Sequence, residues 1–337
     1  MKKVLFSLLL FLLITNVKAY TNNNNIEITE EEYLNLLSVG FTENEIDNLE
    51  LDLYQEYKDT TGIGLVTNEK YYKTTHVERN GITSSTTEEV TELEYLYGND
   101  NTMITATGTI YTEYKKLITT LSKTSNDIVT GKVTLEWRKM PKKRSYDIIG
   151  IGYLTSSIER SLSPYFQMNY TTSSNNSYTS MTYNWHETVD NGDTAVAQLP
   201  SGSLNALSSY ILVRLKKKVP NSTVTQITVY GDYAHATSTI SLTNALKHDM
   251  YFTGIALQNS IVGYYDTTPE CGVTWYGTLW LFIYASFRKR KTRFNYLTLS
   301  FANLSAISKK ILSGNDSDLT FKSKLCFFNT SSIIDKS

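Results

Sequence analysis

Between Ile63 and Tyr265 the chain is a succession of short runs rich in Val, Ile, Thr and Tyr, and no apolar repeat of helical period and length falls among them. Val129–Trp137 is the clearest run: Val129, Val133, Leu135 and Trp137 share one parity, and Thr130, Lys132, Thr134 and Glu136 share the other. Alternation of this kind lays one face of a strand against a core and turns the other face outward. Comparable runs are Leu65–His76, Thr86–Tyr97, Met103–Ser122 (one bent strand or a hairpin), Ser145–Leu154, Tyr165–Tyr170, Tyr178–His186, Ser208–Lys217, Val224–Tyr233, Thr239–Thr243 and Met250–Tyr265. Turn residues separate them, as in Gly98-Asn99-Asp100, Asp190-Asn191-Gly192-Asp193 and Pro200-Ser201-Gly202. About ten such strands without alternating helices predict a mainly β chain, an antiparallel β-sandwich of jelly-roll-like form, and argue against a βαβ fold.

The segments around this β region differ from it. Met1–Ala19 joins Lys2 and Lys3 to an apolar run, Val4–Ile14, and a V-K-A end, which reads as a secretory signal peptide. The protein is therefore expected to be secreted or extracellular. Asn22–Asn25 reads as a disordered polar leader. Residues 20–60 form an acidic three-helix unit, with capping boxes at Thr29–Glu32 and Thr42–Glu45 and a third helix near Leu51–Lys58. Gly40 is placed to end the first helix in a left-handed conformation. The β domain is expected over 61–270 and a basic C-terminal segment over 271–337. Within that segment Gly272–Phe287 is aromatic and apolar, and Arg288–Arg293 follows it. Three readings stay open: a last strand, a membrane helix with cytoplasmic positive charges, or the start of a poorly ordered tail. Sixteen helical residues reach only about 24 Å of a ~30 Å hydrocarbon core.

No Gly-x-Ser-x-Gly elbow, phosphate-binding loop or His-Glu-x-x-His motif is present. The four histidines, His76, His186, His235 and His248, are scattered, and neither they nor Cys271 and Cys326 have metal-ligand spacing. No metal, no cofactor and no nucleic-acid partner is expected, and no catalytic residue is assigned. A disulfide between Cys271 and Cys326 fits an exported chain and excludes a membrane span between them. Trp185, His186 and Glu187, with Tyr183 near them, are the ligand-binding candidates, because aromatic faces stack on sugars while carboxylates fix hydroxyls. Asp190, Asn191 and Asp193 fit a hairpin turn better than a Ca²⁺ loop. Glu136, Glu187 and Asp232 are the carboxylates open to a glycosidase reading. Lys142-Lys143-Arg144 and Lys216-Lys217-Lys218 could meet an anionic wall polymer.

Two resemblances add to this. The order helix, Gly40-Phe41 loop, helix, turn, helix resembles a ubiquitin-associated-type unit, which implies a small docking module. Val133–Gly152, with Glu113-Tyr-Lys-Lys116 and Gly40–Ile46, resembles a segment of uncharacterised exported β-rich proteins of low-GC Gram-positive bacteria, over Ile28 to about Thr268. That resemblance implies export and a shared β fold, and no activity. The expected function is a non-enzymatic exported protein that binds a cell-surface, glycan or protein partner. The alternatives are a secreted carbohydrate-active hydrolase and a membrane-held, wall-associated structural protein.

Overall fold

Long antiparallel strands built from those β-branched and aromatic runs dominate the computed structural model, so the chain is mainly β. It describes residues 19–80, 82–99, 102–105, 108–125, 127–154, 158–180, 183–188, 192–219, 224, 226–247 and 265–276. In chain order the elements are β1 (Tyr20–Thr21), β2 (Glu27–Ile28), α1 (Glu30–Val39), α2 (Glu43–Asp47), α3 (Leu51–Tyr57), β3 (Gly64–Arg79), β4 (Ile82–Val90), α4 (Glu92–Tyr97), β5 (Met103–Thr105), β6 (Gly108–Lys123), β7 (Ile128–Trp137) and β8 (Tyr146–Leu154). They continue as β9 (Ile158–Arg160), β10 (Tyr165–Thr172), β11 (Ser177–Ser180), β12 (Asn184–Thr188), β13 (Gly192–Gln198), β14 (Leu204–Lys217), β15 (Gln226–Ala236), α5 (Leu242–Ala245), β16 (Tyr265–Thr267) and β17 (Cys271–Tyr276).

The first large sheet runs β11-β10-β14-β7-β6-β3-β4, with β5 paired to β6 and β9 to β14. The second runs β12-β13-β8-β15-β16, with β17 also on β15. One apolar core joins them: Leu117, Leu121, Val133, Leu135, Ile211 and Val213 from the first meet Ile149, Ile151, Val229, Val273 and Trp275 from the second. The sheets approach closely at Gly231, where an added Cβ would collide with Thr119 and Val133. Beside that contact Thr119 Oγ1 donates to the Cys271 carbonyl at 2.7 Å, and Asn68 Nδ2 donates to the Gly272 carbonyl at 2.8 Å.

The outer parity of β7 is not solvated. Lys132 and Thr134 are buried beneath α1–α3. Leu36, Val39, Phe41, Ile46, Leu49, Leu53 and Tyr57 pack there with Tyr210 and Leu212 of β14. Both capping boxes form, and Gly40 ends α1 at φ +103°. Glu45 serves twice. Its carboxylate accepts from the Thr42 amide at 2.8 Å and closes the box, and it also takes Lys132 Nζ and, at 2.8 Å, Thr134 Oγ1.

Several expectations are corrected here. The asparagine tract is an ordered turn rather than a loose leader. Asn22 Oδ1 accepts from the amides of Asn24 and Ile26, and its Nδ2 reaches the carbonyls of Ile46 and Leu49. The side-chain amides of Asn22 and Asn24 satisfy the carbonyls of Ile46, Asn48 and Leu49 at the end of α2 and in the loop after it, which a reading from polarity alone misses. Thr86–Tyr97 is not one strand: β4 stops at Val90, and Thr91 caps α4 by accepting from the Glu94 amide at 3.2 Å. Thr239–Thr243 is likewise broken by Ser241, which caps α5. Met103–Ser122 resolves into the β5–β6 pair. The β region passes Glu270, because Cys271–Tyr276 pairs with β15 along Gln226–Gly231. Gly272–Tyr276 is therefore strand and not the start of a membrane helix, while 277–287 lies outside the described residues. So do 1–18 of the leader, Cys326 and most of Met250–Tyr265. No helix among the described residues is long and apolar enough to cross a membrane.

A candidate site between the sheets

At one end of the space between the sheets the side chains change from apolar to ionisable. Strand parity explains the placement. On β6, Leu121, Thr119 and Leu117 face inward, and the same parity continues to Lys115 and Glu113. Register places Tyr72 of β3 and Trp137 of β7 on either side of Lys115, and Thr74 beside Glu113. The second sheet contributes Asp147 from β8, Tyr233 and His235 from β15, and Asp266 from β16, which pairs directly with His235. His76, Glu113, Lys115, Asp147, His235 and Asp266 are all buried.

The cluster is closely hydrogen-bonded. Lys115 Nζ donates to Asp266 Oδ2, which also accepts from Thr74 Oγ1 at 2.9 Å. The ammonium lies 5.0 Å from the Trp137 ring centroid and 5.6 Å from that of Tyr233. His76 Nε2 is 3.0 Å from Glu113 Oε2, and the Lys142 amide donates to Glu113 Oε1 at 2.8 Å. His235 Nδ1 is 2.9 Å from Asp147 Oδ2, which also accepts from the Tyr233 hydroxyl, while its Nε2 is 3.9 Å from Glu113 Oε2. His235 thus bridges a carboxylate of each sheet. Beside His76, Ser85 Oγ on β4 is 2.8 Å from Nδ1, and the Tyr111 ring stacks on the imidazole at 4.5 Å. A void of about 10 Å³ next to Asp147 and Tyr233 holds no more than about one water, far below the ~300 Å³ of a ligand pocket.

Charge partners outweigh burial for three of these groups. Burial alone would raise Glu113, but the hydrogen bond from His76 and the charge of His235 hold it below the usual carboxylate range. Burial also opposes ionisation of Asp266, but Lys115 and His235 hold it at about 2. Burial would lower His235, yet Asp147, then Asp266 and Glu113, raise it above an ordinary imidazole. On the far side of the second sheet burial wins: with the Glu270 charge it pushes Asp232 up to about 8.

The signs define a pH optimum. Glu113 and Asp266, depressed in the fold, stabilise it above about pH 4, and this is lost as pH falls toward their folded values. His235, raised, stabilises it fully below about pH 6.5 and loses that contribution as pH climbs through its folded pKa. Asp232 stays protonated in the fold while the unfolded chain ionises, so it too makes stability decline from about pH 4 to 8. Urea midpoints from pH 3 to 9 should peak in mild acid, at about pH 5–6. Asp232→Asn should flatten the alkaline side, to which one proton contributes up to ~1.4 kcal/mol per pH unit. A wild-type maximum at pH 8 would contradict this charge assignment.

The residues singled out from sequence lie elsewhere. Trp185, His186 and Glu187 are on β12, the edge strand of the second sheet, and their side chains fall outside those described. Tyr183 is half-buried, 5.4 Å edge-on from Phe166, and so belongs to the core margin. Glu136 and Asp232 do not converge. Glu136 is on the helix-covered face of the first sheet, paired to Lys116 at 2.8 Å, and Asp232 shares the outer parity of Ala234 and Ala236 on the second. Two packed sheets, ~10 Å apart, separate them, too far for a glycosidase pair. Asp193 is buried in β13 and paired with Arg160, whereas 189–191 lie outside the described residues. Lys216 and Lys217 are paired with Glu159 and Asp127, and Arg144 donates to the carbonyls of Pro141, Pro200 and Gly202. Among the described residues no group of three or more His, Cys, Asp or Glu could hold a metal ion. The signal for the cluster was Glu113-x-Lys115, two charges on the inward parity of an otherwise apolar-facing strand. No protein-family model matches the chain, and no curated protein sequence is similar to it.

Proposed function

We propose that the chain is an exported antiparallel β-sandwich with an N-terminal three-helix appendage, and that it binds a partner protein at a cell surface. The two sheets that share one core, and the helices that cover the outside of the first, support this architecture. The location rests on the signal-peptide pattern of Met1–Ala19. The binding reading is carried by one observation: exposed apolar side chains gather at one end of the first sheet. Leu93, Leu96 and Tyr97 of α4, Met103 and Ile104 of β5, and Ile82 of β4 are each at least half exposed. Register places Met103 and Ile82 on one face, since Met103 pairs with Ile110, Ile110 with Val77, and Arg79, two residues on, with Ile82, while Ile104 turns to the other face. A grouping of this kind in one segment marks interaction surface rather than ordinary exposure. Its rim carries both signs: Glu92 of α4 is exposed, as are Lys142 and Lys143, and Lys142 Nζ donates to Thr102 Oγ1 at 2.9 Å. Apolar centre and charged rim together fit a protein partner.

Labelled mature protein should bind intact cells saturably, and protease shaving of the cells should abolish that binding. Leu93→Ser, Tyr97→Ser and Met103→Ser combined should weaken it at least ~10-fold at unchanged Tm, since central apolar anchors carry most interface energy. Binding that survives shaving and is lost on glycan removal would replace the protein partner with a glycan. Binding unaffected by the triple substitution would contradict this surface.

A further inference from the structure

We infer that Ser85, His76 and Glu113 form a nucleophile, base and positioning residue for acyl transfer, acting on a carboxylic ester. This activity is separate from the binding surface above and rests on other residues. The three side chains form one line across β4, β3 and β6: Ser85 Oγ to His76 Nδ1 is 2.8 Å, and His76 Nε2 to Glu113 Oε2 is 3.0 Å. These are the contacts that activate a serine, namely hydroxyl to imidazole and imidazole to carboxylate, on whatever fold they occur. The order along the chain, His76, Ser85, Glu113, matters less than this geometry.

The hydrogen-bond directions are forced. An ionised Glu113 only accepts, so the imidazole proton sits on Nε2, and Nδ1 is left with a lone pair toward the Ser85 hydroxyl. Glu113 is held in place by the Lys142 amide on its other oxygen, and the Tyr111 ring stacked on His76 fixes the plane of the base. Access is also provided. His76 and Glu113 are buried, but Ser85 is half-buried on β4, the last strand of its sheet. It lies where that sheet meets β16 of the other, next to Thr87, whose Oγ1 is 3.5 Å from Asp266 Oδ2. A substrate reaching this seam meets the hydroxyl first, with the base behind it.

The step balances without a co-reactant other than water. Ser85 Oγ forms a bond to the acyl carbon while its proton moves to His76 Nδ1. The acyl carbon–oxygen bond then breaks, and that proton leaves with the alcohol. Water next attacks the Ser85 ester, giving its proton to His76. Collapse releases the carboxylic acid and returns the proton to Ser85 Oγ. Glu113 keeps its charge throughout and stabilises the imidazolium.

Ser84 supplies an internal control, because it is one residue away on the opposite, exposed face of the same strand, with its hydroxyl 3.4 Å from the Val77 carbonyl. The test is full-length mature protein treated with a fluorophosphonate probe, with the adduct located and timed by peptide mass spectrometry. Ser85 should be labelled about 100-fold faster than Ser84, the lower range of general-base assistance. Ser85→Ala should remove that adduct and the hydrolysis of p-nitrophenyl acetate. Glu113→Gln should reduce the Ser85-to-Ser84 labelling ratio at least ~10-fold, a ratio that a merely structural role would leave alone. Equal labelling of the two serines, esterase activity retained in Ser85→Ala, or an unchanged ratio in Glu113→Gln would overturn the assignment.

Discussion

Lys115→Met should lower the unfolding free energy at neutral pH by about 3–5 kcal/mol, a large part of the ~5–15 kcal/mol available to a domain. The lysine is fully buried, and its ammonium is the donor on Asp266, which is itself buried. Methionine fills the volume but strands the carboxylate, with Thr74 its nearest remaining donor. The loss comes from that unpaired charge rather than from any intrinsic value of the pair, since a buried ion pair about breaks even against its own desolvation. Two consequences separate this account from simple mispacking. Without Lys115, His235 and Thr74 are left to oppose burial and the Asp266 pKa rises, so the deficit should shrink as pH falls and the carboxyl protonates. Adding Asp266→Asn to Lys115→Met should also restore most of the loss. Urea unfolding of the two variants at pH 5 and 8 measures both effects, and a double variant no more stable than the single one would contradict the explanation.

Glu45→Ala should have an effect of similar size, about 3–5 kcal/mol, confined to the docking of the helices on the first sheet. The substitution removes the back-bond of a capping box and leaves the Lys132 ammonium buried between Phe41 and Tyr210, with ring centroids at 5.3 and 5.6 Å. Thr42→Ala removes the cap alone and should cost only ~1 kcal/mol. Hydrogen exchange separates the cases. In Glu45→Ala the amides of Leu36–Tyr57 should exchange by local opening while those of β6 and β7 stay protected. Loss of protection throughout would mean that the helices and sheets unfold as one cooperative body.

What could be read from the sequence was the local chemistry. Thr29–Glu32, Thr42–Glu45 and Gly40 act within a few residues of themselves, and each behaves as its pattern dictates. The alternation of β7 correctly separates Val133, Leu135 and Trp137 from Lys132 and Thr134. What alternation cannot say is whether the polar face meets water, and here it meets Glu45 from a segment about ninety residues earlier. Thr91 and Ser241 were misread because a threonine or serine in a β-like run is also a good helix cap, and only the following amide decides which role it takes. The candidate cluster was hidden for a different reason. His76, Glu113, Asp147, His235 and Asp266 come from five strands and share no spacing, so only register and sheet packing bring them together.

The central claim is that His235 is a charged bridge, held between Asp147 of its own sheet and Glu113 of the other. Imidazole NMR of selectively labelled protein tests it directly. His235 should titrate above the ~6.5 of a free imidazole, and Asp147→Asn should move it down by at least about one unit. A His235 that titrates at or below 6.5, or that ignores Asp147→Asn, would contradict the account of the cluster.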